Sequence, residues 1–228
     1  MLELGPGDSV ATALIAKAFG ARAILVDAGP FARPDISAYR PLANVLREAG
    51  LAPPPLDTVT TLDDLLVACD ASYLTQGLVD LRVIADESVD LVFSQAVLEH
   101  VRKHEFAATQ QALARILKPG GVCSHRVDLR DHLGGGLNNL RFSERIWESP
   151  FFASAGFYTN RIGFDGMLKV FEQAGFEVEV TEIRRWDALP IDRRRLAGEF
   201  RHIADEVLTV SGFDVVLRRR RSPMLEVV

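Results

Sequence analysis

Three groups of residues in this 228-residue chain have the types and spacing to do chemistry. The first is Glu3-x-Gly5-x-Gly7-x-Ser9, followed by Asp27. A turn after a strand needs glycine where positive φ or close ligand approach is required, because a Cβ would clash there. An acid closing the second strand about 20 residues on is where nucleoside-binding α/β folds reach the ribose hydroxyls. The second group is His100, in Leu98-Glu99-His100, and His132, in Asp128-Leu129-Arg130-Asp131-His132. Each follows a predicted strand, and histidine titrates close enough to neutrality to serve as a general base. The third is Trp147, Phe151, Phe152, Tyr158, Asn160 and Arg161, in a long stretch that also carries Gly134-Gly135-Gly136. Loops of that length inside a domain are usually functional, so the rings are candidates to line a cavity and Asn160 and Arg161 to bind polar groups in it. Packing beneath the loop would explain the same rings equally well.

The elements that must hold these groups follow from periodicity and punctuation. Leu2-Glu3-Leu4 reads as a buried strand, residues 10–19 as a helix with Asp8 and Ser9 as candidate caps, and residues 23–26 as a second strand. Five further prolines after Pro30, up to Pro55, exclude a central strand there, leaving short helices at 42–50 and 62–69. A strand is expected at 72–76, with Asp80 the acid close behind it. The apolar run 89–94 has the composition of a buried parallel strand. A helix at 105–117 is expected to stop at Lys118-Pro119-Gly120-Gly121, before a strand at 122–127. A helix at 161–175 and strands at 176–183 and 212–219 complete the alternation. Asp90 starts its strand, away from the carboxyl ends where ligands gather, and reads as structural.

Composition narrows the class. With 48% hydrophobic and 25% charged residues the chain has an ample core for one large domain, and no apolar run approaches the roughly 20 residues of a membrane span. With no charged and apolar segment ahead of the first strand as read, a secretion signal is not expected. Cys69 and Cys123 show no metal-type pairing and suit a reducing, cytoplasmic setting. A net charge of −5 argues against a nucleic-acid partner, and the runs Arg193-Arg194-Arg195 and 218–221 read as solvated surface.

A dinucleotide fingerprint would need a third glycine where Val10 stands and would not normally accept Pro6. The motif instead resembles the first motif of the class I S-adenosylmethionine-dependent methyltransferases, acidic-x-Gly-x-Gly-x-Gly, with Ser9 in the last glycine's place. The aspartate-rich turn, VDLVFSQAVLEHV and LARILKPGGV then follow in that family's order and approximate spacing. The resemblance implies an α/β, Rossmann-like fold: a seven-stranded, mostly parallel sheet with a C-terminal antiparallel hairpin and helices on both faces. It implies a single domain over residues 1–228, made of a cofactor-binding half (1–128), an acceptor-substrate segment (129–161) and a C-terminal helix and hairpin (162–228).

Carried over position by position, the resemblance puts Glu3 near the methionine ammonium, with Gly5 and Gly7 giving backbone clearance. Asp27 falls on the ribose, Ala28 beside the adenine and Asp80 at an adenine edge, while Ser94, Gln95 and Ala96 border the methionine portion. His100 and His132 are then the candidate bases near the transferable methyl, with a slight preference for His132 because its loop also carries the acceptor residues. His125 reads as a core histidine, and His104 and His202 as surface. No metal is expected: related metal-using enzymes carry an acid one turn before Glu99-His100, where this chain has Gln95. The family usually has a helical lid ahead of the first strand, and this chain starts in that strand. Either the start lies downstream of the natural one, or another element or subunit covers the pocket; a homodimer is among the expectations. The expected activity is methyl transfer to a hydroxyl of a small molecule, a sugar or a secondary metabolite. N-methylation, a non-methylating use of the cofactor, and a non-catalytic binding or scaffold subunit are the alternatives.

Overall fold

The structure, a computed structural model, describes residues 1–220. The last residue of the 218–221 basic run and the end of the expected C-terminal segment lie outside them. The elements run β1 (Leu2–Leu4), α1 (Ala11–Ala18), β2 (Ala23–Val26), α2 (Tyr39–Glu48), α3 (Leu62–Ala68), β3 (Ala71–Leu74), α4 (Leu78–Val83), β4 (Val89–Gln95), α5 (Lys103–Ile116) and β5 (Leu117–Asp128). After short turns come α6 (Glu144–Trp147), α7 (Pro150–Ala153), α8 (Phe164–Gln173), β6 (Phe176–Arg185), α9 (Asp205–Leu208) and β7 (Val210–Arg219). The strands form one seven-stranded sheet in the order β3-β2-β1-β4-β5-β7-β6. Pairs β1–β2, β1–β4 and β2–β3 are parallel, and β5–β7 and β6–β7 antiparallel. This is the mixed, mostly parallel sheet with an antiparallel C-terminal pair that the sequence predicts. The chain divides into two compact units, one of Met1–Ser94 with Arg115–Gly121, the other of Gln95–Ala114 with the residues from Val122 on.

In the first unit, Leu2 and Leu4 are buried on either side of Glu3, as the two-residue period of a strand requires. The Gly5 N–H continues the ladder to the Val26 carbonyl at 2.8 Å, and Gly5 and Gly7 both take positive φ, 71° and 67°. Helix α1 starts one residue later than expected, with Val10 at the N-cap and no side-chain cap; the Ser9 Oγ, one residue before it, accepts from the Ala11 N–H at 3.2 Å. Asp8 lies at the surface and pairs with Arg33 instead. The Val10 N–H is satisfied by the Tyr39 hydroxyl at 3.0 Å, which docks α2 on α1. Tyr39, Ala43 and Leu46 form the buried stripe of α2. Helix α3 opens with a capping box between Thr61 and Asp64. Asp90 pairs with Lys118 at 2.8 Å, a structural role as expected.

The first unit departs from the sequence reading at Leu117, where β5 begins directly after α5, so Lys118-Pro119-Gly120-Gly121 lies in the strand and not in a separating turn. Gly120, at φ 82°, absorbs the irregularity. The second unit departs more. Helix α8 begins three residues later than expected: Arg161 sits at φ 57°, a left-handed conformation that cannot continue a helix, and Gly163 is the N-cap. The stretch 129–161 is packed rather than open. Trp147, fully buried, is its centre, with the rings of Phe142, Phe152, Phe157 and Tyr158 at 5.7, 5.6, 5.9 and 6.2 Å. Leu137, Leu140, Ile191, Leu196, Phe200 and Leu208 make a second small core. Arg193, from the first basic run, holds the carbonyls of Arg201 and Ile203 and pairs with Asp205, and so shapes the loop beneath that core.

Candidate active site

In the first unit the expected cofactor residues converge on the ends of β1 and β2. Asp27, 9% exposed, follows β2 directly. Its Oδ2 accepts from the Gly7 N–H at 2.9 Å and its Oδ1 from the Ala28 N–H at 2.7 Å, so the carboxylate ties the glycine turn to the strand end. Each oxygen keeps a lone pair for a further donor such as a ribose hydroxyl. Glu3 has one carboxylate oxygen, Oε2, that is inaccessible and without a partner. Burial raises its pKa, Thr12 bonds the side chain and lowers it, and Asp27 raises it again. An orphaned buried carboxylate oxygen is costly unless a donor or cation meets it, and the ammonium of S-adenosylmethionine is such a group. A Cβ on Gly7 would meet nothing within 4 Å, so the turn borders open space. These residues fit the cofactor.

Asp80 stands in the first turn of α4, where its Oδ2 accepts from the Gln76 N–H at 2.6 Å and braces the Gly77 turn beside Ala28. Ser94 is buried at the end of β4. In the second unit, Gln95 is exposed and Ala96 takes φ 53°, a strained backbone for alanine at a strand end.

The second unit contains a cavity of about 580 Å³, open solvent at its mouth included. Apolar residues from the small core, among them Leu137, Leu140 and Phe200, form much of its lining, with Glu99, Asp128 and Asn139 as polar members. Beside Glu99 in the chain, His100 is half-buried, and its Nδ1 lies 2.9 Å from the Tyr158 carbonyl. A carbonyl only accepts, so Nδ1 carries the proton and Nε2 presents the lone pair. Burial lowers the His100 pKa; the Tyr158 carbonyl raises it, His132 lowers it and Asp128 raises it. His132 is exposed and meets His100 edge-on, ring centroids 4.9 Å apart. The two histidines expected to compete therefore stand together. His125 is buried, with its pKa pushed down to about 4 by desolvation, as a core histidine would be.

A family model described as a methyltransferase domain matches residues 2–124. The chain belongs to the class I S-adenosylmethionine-dependent methyltransferases. Solved structures with this fold include an S-adenosylmethionine-dependent methyltransferase from Methanosarcina mazei, at 15% identity over 97% of this chain and 92% of that one, with a TM-score of 0.55. The YcgJ protein of Bacillus subtilis matches at 14% identity over 97% and 92%, TM-score 0.52. Phosphoethanolamine N-methyltransferase 2 of Haemonchus contortus, solved with phosphomonomethylethanolamine and S-adenosylhomocysteine, matches at 15% over 97% and 49%, TM-score 0.51. At these identities the likeness is one of fold. A search of curated proteins gave no match.

Of the four residues expected to bind the acceptor in this methyltransferase, two do not line the cavity. Trp147 is sealed in its aromatic cluster and its Nε1 donates to the Thr159 carbonyl at 2.7 Å. The Tyr158 hydroxyl is engaged with Glu148 and the Lys103 N–H, and burial raises its pKa to about 12. Asn160 and Arg161 do border the cavity. Asn160 donates to the carbonyls of Leu98 and Val101 at 2.8 and 2.9 Å and accepts from the Ile162 N–H, so it clamps the turn that carries His100. Arg161 pairs with Glu144 at 2.6 Å and donates to the carbonyls of Asn139 and Phe142, with its Nε unpartnered. Sequence reasoning missed Glu99, Asn139 and Phe200 in the lining. Only Glu99 carried a signal, its place next to His100. Among the described residues no group of three or more His, Cys, Asp or Glu side chains is placed to hold a metal ion.

Two predictions arise here. Asp27→Ala is expected to weaken S-adenosylmethionine binding by about 1.5–3 kcal/mol, the worth of a charge-assisted bond to the ribose. Calorimetry reads this directly, and unchanged affinity would remove Asp27 from the site. Glu99 is 2% exposed, neither carboxylate oxygen meets a donor in full hydrogen-bond geometry, and burial drives its pKa up to about 8. The backbone amides of Glu99 and Asp128 lower it only in part, and the Asp128 charge raises it further. The folded protein therefore holds a proton that the unfolded chain has released above about pH 4.5. That contribution to stability is fully present below about 4.5 and is lost as the pH rises to about 8. Denaturant titrations should show stability falling by a few kcal/mol across that window, and Glu99→Gln should flatten the fall.

Proposed function

We propose that this methyltransferase transfers the methyl group of S-adenosylmethionine to a hydroxyl of a small molecule with an apolar body, with His100 as the base. The observation that carries the reading is the bond from His100 Nδ1 to the Tyr158 carbonyl, which fixes the tautomer and leaves Nε2 to accept a proton. Bound S-adenosylmethionine supplies a methyl group on a sulfonium, already a good leaving group, so alignment contributes most of the acceleration. His100 would take the proton of a hydroxyl presented to that methyl group, whose transfer would break its bond to sulfur and leave S-adenosylhomocysteine. Its lowered pKa keeps the ring neutral at physiological pH and ready to accept. Glu3 and Asp27 hold the methionine and ribose ends. The leucine and phenylalanine lining of the cavity favours an apolar secondary metabolite over a sugar.

An amine that is already neutral needs no base, only its free lone pair, so N-methylation of such an acceptor would leave His100 without work. The discriminating experiment is turnover on matched panels of phenols and alcohols and of the corresponding amines. Ethers should form; methylated amines with no ethers would overturn the reading, and cofactor binding with no turnover on either panel would favour a non-catalytic subunit. We also infer a cytoplasmic protein acting on small molecules and not on nucleic acid. Both cysteines are free and buried, as a reducing compartment permits, and no helix among the described residues is long and apolar enough to cross a membrane.

A further inference from the structure

The polar atoms of the acceptor cavity are unbalanced. Glu99 Oε1 and Oε2 and Asn139 Oδ1 are buried and partnerless, three acceptors once Glu99 is ionised, while among the other partnerless atoms of the lining only Arg161 Nε is a donor. Glu99 and Asn139 are 2% and 3% exposed, so water outside the cavity does not satisfy them. Nearly all buried polar side-chain atoms find partners, and a cluster of orphaned acceptors on one cavity wall describes the complement of a ligand rich in donors. Charge points the same way. The guanidinium of Arg161 is neutralised by Glu144, and Asp128 is held by Arg130 at 2.6 Å, which keeps its pKa below the usual range although burial pushes it up. Glu99 is the remaining carboxyl of the lining, and it has no counter-ion.

We propose that the acceptor is an apolar-bodied amino alcohol whose ammonium group is anchored by Glu99 and Asn139 while its hydroxyl is methylated. This rests on the reading of the cavity as the acceptor site and of the hydroxyl as the nucleophile. It also explains the choice of oxygen. An ammonium held against a carboxylate has no lone pair and cannot attack the methyl group, so the amine directs binding and stays unmodified. Binding moves one proton: the carboxyl of Glu99, protonated in the empty cavity at neutral pH, gives its proton to solvent and the carboxylate then faces the cation.

The test uses the full chain loaded with S-adenosylhomocysteine and two probes of equal shape, cyclohexylmethylamine and cyclohexylmethanol, titrated by calorimetry. The amine should bind at least about tenfold more tightly, since charge-assisted bonds are roughly twice as strong as neutral ones. Its affinity should rise by up to about tenfold per pH unit below about pH 8 and level off above, with a proton released to buffer in the lower range. Glu99→Gln should erase the amine's advantage and its pH dependence while S-adenosylhomocysteine binds as before. The proposal is overturned if the alcohol binds as tightly as the amine in the unaltered protein, if the amine's advantage survives in Glu99→Gln, or if neither probe saturates. The base assignment fails separately, through turnover of a His100 variant, which does not enter these titrations.

Discussion

His100→Ala is expected to lower kcat by about 10² to 10⁴ while the affinity for S-adenosylmethionine stays unchanged. The size follows from what a positioned base supplies to proton transfer, and the specificity from geometry. The ring is held by the Tyr158 carbonyl through Nδ1, and only Nε2 is left to act. Because burial lowers its pKa, the acid limb of the pH profile should lie below the ordinary histidine range near 6.5. That limb should vanish in the alanine variant along with most of the rate. His132→Ala should cost much less, since the ring is exposed and touches His100 only edge-on. A larger loss at His132 than at His100 would transfer the role, and full turnover in both variants would end the assignment.

Trp147→Ala is expected to lower the free energy of unfolding by about 3–5 kcal/mol, the range for deleting a buried aromatic side chain. The side chain is fully buried at the centre of four other rings, and its Nε1 satisfies the Thr159 carbonyl, which the variant would leave unpaired. It also lies under the Arg161 guanidinium, 5.2 Å from the ring centroid, so the loss reaches the residues that border the cavity. Urea unfolding checks the value. Trp147→Phe should recover most of it, short of about 1 kcal/mol for the missing hydrogen bond. A loss under about 1 kcal/mol in the alanine variant would mean that segment 129–161 does not pack on this residue.

The first unit was legible because its information is local. Gly5, Gly7 and Asp27 sit where a short-range rule places them, and the sheet follows from alternating apolar runs and stops. The second unit was legible in outline and misread in detail, each time because a distant partner decided the outcome. Trp147 and Tyr158 look like cavity rings in sequence, yet their polar atoms find Thr159, Glu148 and Lys103 and turn them inward. Arg161 has ordinary helical propensity, yet it stands in a left-handed turn before the helix, its buried guanidinium paired with a half-exposed Glu144. Glu99 is a plain acid in sequence. What makes it unusual is enclosure by Asp128 and by a segment some sixty residues on, and no local pattern carries that.

The clamp by Asn160 has a consequence for engineering this enzyme. The turn that bears His100 has no regular structure and is held by three bonds from the far segment: the Asn160 amide to the carbonyls of Leu98 and Val101, and the Asn160 N–H to the Glu99 carbonyl at 2.7 Å. Tyr158, two residues earlier, sets the ring itself. Grafting residues 129–161 from a relative in order to import its selectivity would exchange the scaffold of the histidine along with the wall of the cavity. Such chimeras should fail as catalysts before they change preference, unless the Tyr-x-Asn spacing travels with the graft. Selectivity in this protein is therefore better altered one side chain at a time, at Leu137, Leu140 or Phe200, than by exchange of modules.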